Sequence, residues 1–287
     1  MNYLQAVLLG LLQGLTEFLP VSSSGHLALA EKVFQLQTPM LFDVLLHFAT
    51  LSAIVVAFWK DILEMCKELG RLISGLVGRK HAGNNTPTRR LILLIVAGSL
   101  PLLLTVLGSL IKISEEGGIV ETFRLYPVIV GLLLCATGLL LFLSDRLPRG
   151  EKNEKNALIS DVMIVGVCQS AAALLPGFSR SGATISAGLF RGFTRPFAVR
   201  FSFLLSLPAV LCATLWELVK TLRDNSASMG LTAGHCIVGM TVAALTGYLA
   251  IGLVRQLIGK GKFGVFAYYC VGLGIVAIVI SLLTRAA

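Results

Sequence analysis

Residues 91–111, 126–143 and 264–283 contain no Asp, Glu, Lys or Arg. Each run is close to the ~20 residues that carry a helix across a bilayer. Segments 40–59, 197–219 and 232–254 are of similar length, with ionisable residues few or near the ends. Without water to satisfy them, backbone amides in hydrocarbon must bond within the chain, so runs like these become helices. Only 14% of the residues are charged and mean hydropathy is +0.84, against about 25% charged in soluble domains. A polytopic, all-α membrane protein is therefore expected. No signal peptide is expected, because the N-terminus lacks a basic segment followed by a small-residue cleavage site.

Two further segments break this pattern. Residues 3–19 are apolar and helical in period but run into Pro20 and three serines, and residues 23–36 are too short to span. Residues 157–175 and 181–192 repeat the arrangement around Pro176. In both, a glutamine (Gln13, Gln169) precedes a Leu-Pro proline by seven positions, and a serine cluster closed by Ser-Gly follows. An apolar run, a Pro-Ser break and a short helix predict a re-entrant hairpin that enters the bilayer and returns.

Each half then holds one hairpin and three spanning helices. The first half, 1–143, includes an interfacial amphipathic helix at 60–80; the second is 157–287, after a linker at 144–156. Residues 81–90 and 112–124 read as loops. Three crossings per half force the second half to enter from the opposite face. The expected architecture is thus a single membrane domain of two inverted-topology repeats, with its site near the midplane where the halves meet.

The net charge of +9 reflects topology rather than nucleic-acid binding. The basic residues sit between apolar runs and collect on one face, which the positive-inside rule makes cytoplasmic, with both termini outside. Arg180 belongs to neither face. The six cysteines have no metal-ligand spacing and read as small apolar packers. Gly131, Gly138, Gly247, Gly252, Gly272 and Gly274 are expected to let helices approach closely.

The chemistry concentrates at the hairpin tips. Gln13 and Glu17, four residues apart, share one helix face. A carboxylate at membrane depth needs a partner; Arg180 is the obvious one, and a divalent cation between Glu17 and phosphate oxygens is the alternative. Ser22, Ser23, Ser24, Ser179 and Ser181 precede short helices and aim two helix N-termini at one cavity, an arrangement that favours anions. Gly25, Gly177 and Gly182 allow close backbone approach. Acid, hydroxyl, imidazole (His26), guanidinium and helix ends together suit phosphoryl transfer. Asp43 and His47, also four apart, read as a satisfied pair inside the bundle, and His81 and His235 as loop residues without chemistry.

At these residues the sequence resembles the undecaprenyl-pyrophosphate phosphatase family of integral membrane enzymes, the bacitracin-resistance type. The matching motifs are Gln13-x-x-x-Glu17, Pro20-Val21-Ser22-Ser23-Ser24-Gly25-His26 and Pro176-Gly177-Phe178-Ser179-Arg180-Ser181-Gly182-Ala183-Thr184. The resemblance implies hydrolysis of undecaprenyl pyrophosphate to undecaprenyl phosphate and inorganic phosphate, recycling the lipid carrier of peptidoglycan synthesis. It implies Glu17, Ser23, His26 and Arg180 as catalytic residues, with either Ser23 or His26 as nucleophile. Gln13, Ser22, Gly177, Ser179, Ser181 and Thr184 would bind substrate, and Glu17 would hold a divalent cation, Mg or Ca. Expected partners are a polyprenyl pyrophosphate, the membrane and a second copy of the chain in a homodimer, with no nucleic acid. The expected location is the bacterial inner membrane, with the site toward the periplasm. A secondary transporter or lipid flippase is the alternative, since inverted repeats with broken helices also serve transport.

Overall fold

The computed structural model describes residues 1–33, 40–76, 86–103, 105, 112–114, 117–118, 126–223 and 231–286. The described chain is helical except for a minimal antiparallel ribbon, β1 (Lys112–Ser114) with β2 (Gly117–Gly118), where the sequence predicts only loop.

Helices α1 (Tyr3–Phe18) and α2 (Ser23–Val33) form the first predicted hairpin. Asn2 and Gln5 close a reciprocal capping box at the start of α1. Two of the orphan amide donors of the helix end are satisfied this way. Helix α3 (Met40–Ala57) is followed after one residue by α4 (Trp59–Leu76), and the pair is bent by 83°. The bend turns α4, with its alternating charged and apolar residues, away from the line of α3. That is the geometry of a span joined to an interfacial helix.

Helix α5 (Pro87–Ser99) begins earlier than the predicted span. Thr86 Oγ1 accepts the Arg89 N–H at 3.1 Å and Pro87 occupies the first turn. Residues 87–90 were expected in a loop because Thr-Pro-Thr reads as a turn; it is equally a helix start. Pro101 lies in a 3-10 turn, Leu100–Leu102, as its missing amide requires. Most of the span predicted beyond it, like His81, lies outside the described residues.

Helix α6 (Pro127–Asp145) completes the first half. The second contains α7 (Ile159–Leu174), α8 (Arg180–Phe190), α9 (Arg195–Arg223), α10 (Ala233–Gly259) and α11 (Gly264–Ala286). Among the described residues, four helices are long and apolar enough to cross a bilayer. They are Pro127–Asp145, Arg195–Trp216 within α9, Ala233–Gly259 and Gly264–Leu283, and the bent α3–α4 pair is a fifth candidate. Their outer faces carry Trp216, Leu245, Leu249 and Tyr268, all well exposed. In water such a surface would aggregate; in lipid it is the solvated surface. This is a multi-pass membrane protein.

Packing fixes the tips. α1 lies along α10, α7 lies along α5 and its 3-10 turn, and α6 packs extensively on α11. Gly131 and Gly274 face each other in the α6–α11 contact: a Cβ on either would come within 2.7 Å of the other's carbonyl oxygen. Gly138 and Gly247 are likewise close-packed, but Gly252 and Gly272 meet nothing within 4 Å, so helix packing does not account for those two. None of the six cysteines is paired, and Cys66 and Cys212 are exposed rather than packed. His235 is buried, lies with its ring tilted against Tyr3 and bonds Thr232 in the cap of α10.

One end of the bundle collects ion pairs: Arg195–Asp145, Lys152–Asp161 and Arg191–Asp161, each 2.8 Å, and Arg200–Asp61 at 2.5 Å. All four cations belong to the face that the charge count makes cytoplasmic.

Candidate active site

Each tip is a tight turn that ends in a helix cap. At the first, Ser22 takes a left-handed conformation, φ +71°. Such a conformation is strained for a non-glycine residue and is found at functional sites. Ser22 Oγ accepts the Gly25 N–H at 3.3 Å. At the second, Gly177 supplies the positive φ (+103°), and Ser179 Oγ accepts the Gly182 N–H at 3.1 Å. In both, a serine caps the third helical amide, as N-cap serines do. The tips touch back to back: a Cβ on Gly25 would lie 3.1 Å from the Gly177 Cα.

Where they meet, Arg180 and Glu17 form an ion pair between Nη2 and Oε1. Glu17 is 7% exposed. Its other oxygen, Oε2, accepts Ser23 Oγ–H at 2.8 Å and Gln13 Nε2–H at 3.0 Å. A buried carboxylate is tolerable only with partners of this kind, and the expected Glu17–Arg180 pair holds the two halves together.

The pair opens into a chamber of about 420 Å3. Glu17, Ser22, Ser23, Ser179, Arg180 and Ser181 all line it, so the first residues of both α2 and α8 face the same space. Phe178, Leu27, Val44 and Val210 make its apolar wall. Thr184 lies behind Arg180 and bonds Ser202 of α9 at 2.6 Å. Together they line a second cavity of about 10 Å3 that also reaches Glu17 and Arg180, the size of one water molecule.

Four of the sequence-selected residues stand one layer back. Gln13 is fully buried and reaches the chamber only through Glu17. Gly177 packs on Val130 of α6, and Thr184 borders the smaller cavity. His26 is not part of the chamber lining. Its Nδ1 lies 2.7 Å from the Ser22 carbonyl oxygen, which can only accept, so Nδ1 carries the proton. Nε2 is 2.8 Å from the Tyr269 hydroxyl, and the two rings stack.

Several residues at the site were not selected from the sequence. His47 and Asp43 of α3 line the chamber, and His47 Nε2 is 4.0 Å from Glu17 Oε2. Their (i, i+4) spacing inside an apolar run was the signal, since intramembrane ionisable groups are functional by default. Thr137 of α6 accepts the Ser179 N–H at 3.0 Å, and Cys270 of α11 bonds the Pro20 carbonyl. Each tip is thus braced by the last helix of the other half, a pairing with no local signature.

Comparison with known proteins adds a second line of support. A family model described as bacitracin resistance protein BacA matches residues 6–276. An undecaprenyl-diphosphatase of Methanosphaera stadtmanae is 36% identical over 285 residues, covering 98% of this chain and 99% of the relative. One of Carboxydothermus hydrogenoformans is 39% identical over 282 residues, 98% of each chain. One of Desulforapulum autotrophicum is 38% identical over 283 residues, 97% and 98%.

Proposed function

Because the chain belongs to the bacitracin resistance protein BacA family, we propose that its two tips form the active site of an undecaprenyl-diphosphate phosphatase. The protein hydrolyses undecaprenyl diphosphate to undecaprenyl phosphate and inorganic phosphate, and so returns the lipid carrier to peptidoglycan synthesis. The observation that carries the site assignment is the Glu17–Arg180 contact, with the Ser23 hydroxyl on the same carboxylate. Named relatives favour hydrolysis over the transporter or flippase reading.

The diphosphate enters the chamber with its tail toward the apolar wall. The Arg180 guanidinium and the N-termini of α2 and α8 take the phosphate oxygens. Ser23 Oγ attacks the terminal phosphorus while its proton passes to Glu17 Oε2. The bond from that phosphorus to the bridging oxygen breaks, and prenyl phosphate leaves with the electron pair. Water then attacks the phosphoserine; the bond to Oγ breaks, Oγ recovers the proton from Glu17, and inorganic phosphate departs. Ser23 is preferred to His26 as nucleophile because both imidazole nitrogens of His26 are engaged, by Ser22 and Tyr269. Gln13, held against Glu17, keeps the carboxylate aimed.

The charged lining is two carboxylates, Glu17 and Asp43, against one guanidinium, so an arriving diphosphate would leave negative charge uncompensated. Among the described residues no three His, Cys, Asp or Glu side chains cluster as a cage. As the alternative to taking the Ser23 proton, Glu17 would hold a divalent cation such as Mg, for which oxygen donors of this kind are suited. When bound it would neutralise phosphate charge.

An inverted-topology repeat with two re-entrant hairpins accounts for the packing. Exchanging the halves turns the α1–α10 contact into α7–α5 and maps α6–α11 onto itself. The excess of Lys and Arg on one face favours the cytoplasm for that face; on that reading both termini lie outside the inner membrane and the chamber faces the periplasm.

The test is phosphate release from undecaprenyl diphosphate by the detergent-solubilised chain, without any ion gradient, with and without a chelator. Release that the chelator suppresses is expected. A chain that folds but releases no phosphate would remove the assignment.

A further inference from the structure

The His47 ring is fixed by α3 itself. Nδ1 lies 2.8 Å from the Asp43 carbonyl oxygen, which can only accept, so Nδ1 is committed as a donor to the backbone and Nε2 is the nitrogen turned to the chamber. The side chain is 38% exposed toward the chamber, and Nε2 sits 4.0 Å from Glu17 Oε2. At that separation the two atoms do not bond each other. Two ligands of one divalent cation, each at about 2.1 Å from it, lie roughly 3–4 Å apart. A histidine whose second nitrogen donates to a backbone carbonyl is in the state that metal-ligating histidines adopt.

Gln13 is fully buried beside Glu17 and its Oε1 has no hydrogen-bond partner, which marks room for a water behind the carboxylate, outside the chamber lining. His26 offers nothing comparable, because its Nε2 is taken by Tyr269.

We propose that His47 Nε2 is the second protein ligand, beside Glu17, of the divalent cation that accompanies the diphosphate. This rests on the phosphatase reading and deepens it. Diphosphate oxygens and water would fill the remaining positions. An imidazole ligand disfavours Ca, which takes oxygen donors, and favours first-row transition ions; Mn(II) serves as the paramagnetic probe. The other charged groups facing this space are Asp43 on α3, Glu17 from α1 and Arg180 from α8; α9 contributes Val210, Ala213 and Thr214.

The experiment is pulsed EPR of Mn(II) on the full-length chain in detergent, with methylene diphosphonate as an unreactive diphosphate. Nitrogen coupling to the manganese is expected in the wild type and should be lost in His47→Gln, with Mn(II) affinity at least about tenfold weaker. Histidine labelled with 15N should convert the coupling to its 15N pattern, a result that needs no variant to fold, and His26→Asn should keep it. Bound manganese without nitrogen coupling, or coupling that survives His47→Gln, would overturn the proposal. If the same preparation releases phosphate with Mn(II) while lacking the coupling, only the ligand assignment fails. If it releases none under any condition, the phosphatase reading fails first.

Discussion

The first tip offers Ser23 and Ser24 to the chamber, whereas the second keeps Ser179 and Ser181 buried and sends the Arg180 side chain forward. Both end in a serine cap, but the positive φ falls on the capping Ser22 itself at the first tip and on Gly177, before the cap, at the second. The tips also differ in support. Ser179 is held by Thr137 and caps a helix, α8, that is buried along most of its length. The first tip carries its strain on Ser22 and leans on α11 through Cys270 and His26. On the proposed function, the first tip is the reactive, partly open half and the second the braced half that would hold the anion. Rigidity matters most where charge must be stabilised without reorganisation.

The largest effects should come from the charges that join the tips. Glu17→Ala and Arg180→Ala should each lower phosphate release by at least about 100-fold, since each removes a charged partner at the reacting centre. Both variants should still insert and fold in membranes; near-wild-type turnover in either would break the assignment. Next is the reactive side. Ser23→Ala should lose activity on the same scale, while Ser24→Ala, whose exposed hydroxyl lies 3.4 Å from Ser22 Oγ and does not bond Glu17, should stay within a few-fold. Equal losses in the two would remove the distinction between nucleophile and neighbour.

The supporting side should respond more weakly, and through binding. Gly177→Ala forces a Cβ to within 2.6 Å of the Val130 carbonyl oxygen at a positive φ, at a cost of about 1–3 kcal/mol. Thr137→Val leaves the buried Ser179 amide without its acceptor, about 1–3 kcal/mol. Thermal unfolding in detergent and KM for the diphosphate should show both losses, with kcat changed less than in Ser23→Ala. A fall confined to kcat would mean that the second tip takes part in chemistry rather than holding the phosphate.

Much of this was legible because a polar residue inside an apolar run is a loud local signal. Pro20, Pro176, the serine clusters, Glu17 and Arg180 all stand out without knowledge of the fold. The prediction that acid and guanidinium meet rested on the repeat and is matched by the contact. What escaped was set by distance along the chain. Tyr269 lies 243 residues from His26 and Thr137 lies 42 from Ser179, and no spacing rule links them. His47 was in view and read as packing, because an (i, i+4) pair on a spanning helix looks the same whether it faces a neighbour helix or a cavity. The early start of α5 was also in view, since Thr86-Pro87 is a cap followed by a first-turn proline.

The claim that two tips make one site is tested most directly by a double-mutant cycle on phosphate release, with Glu17→Gln, Arg180→Gln and the double variant in the same detergent. Residues that act as a unit are strongly non-additive, so the double variant should be no more than a few-fold worse than the worse single. Losses that multiply would mean that Glu17 and Arg180 act independently, and would contradict a shared site.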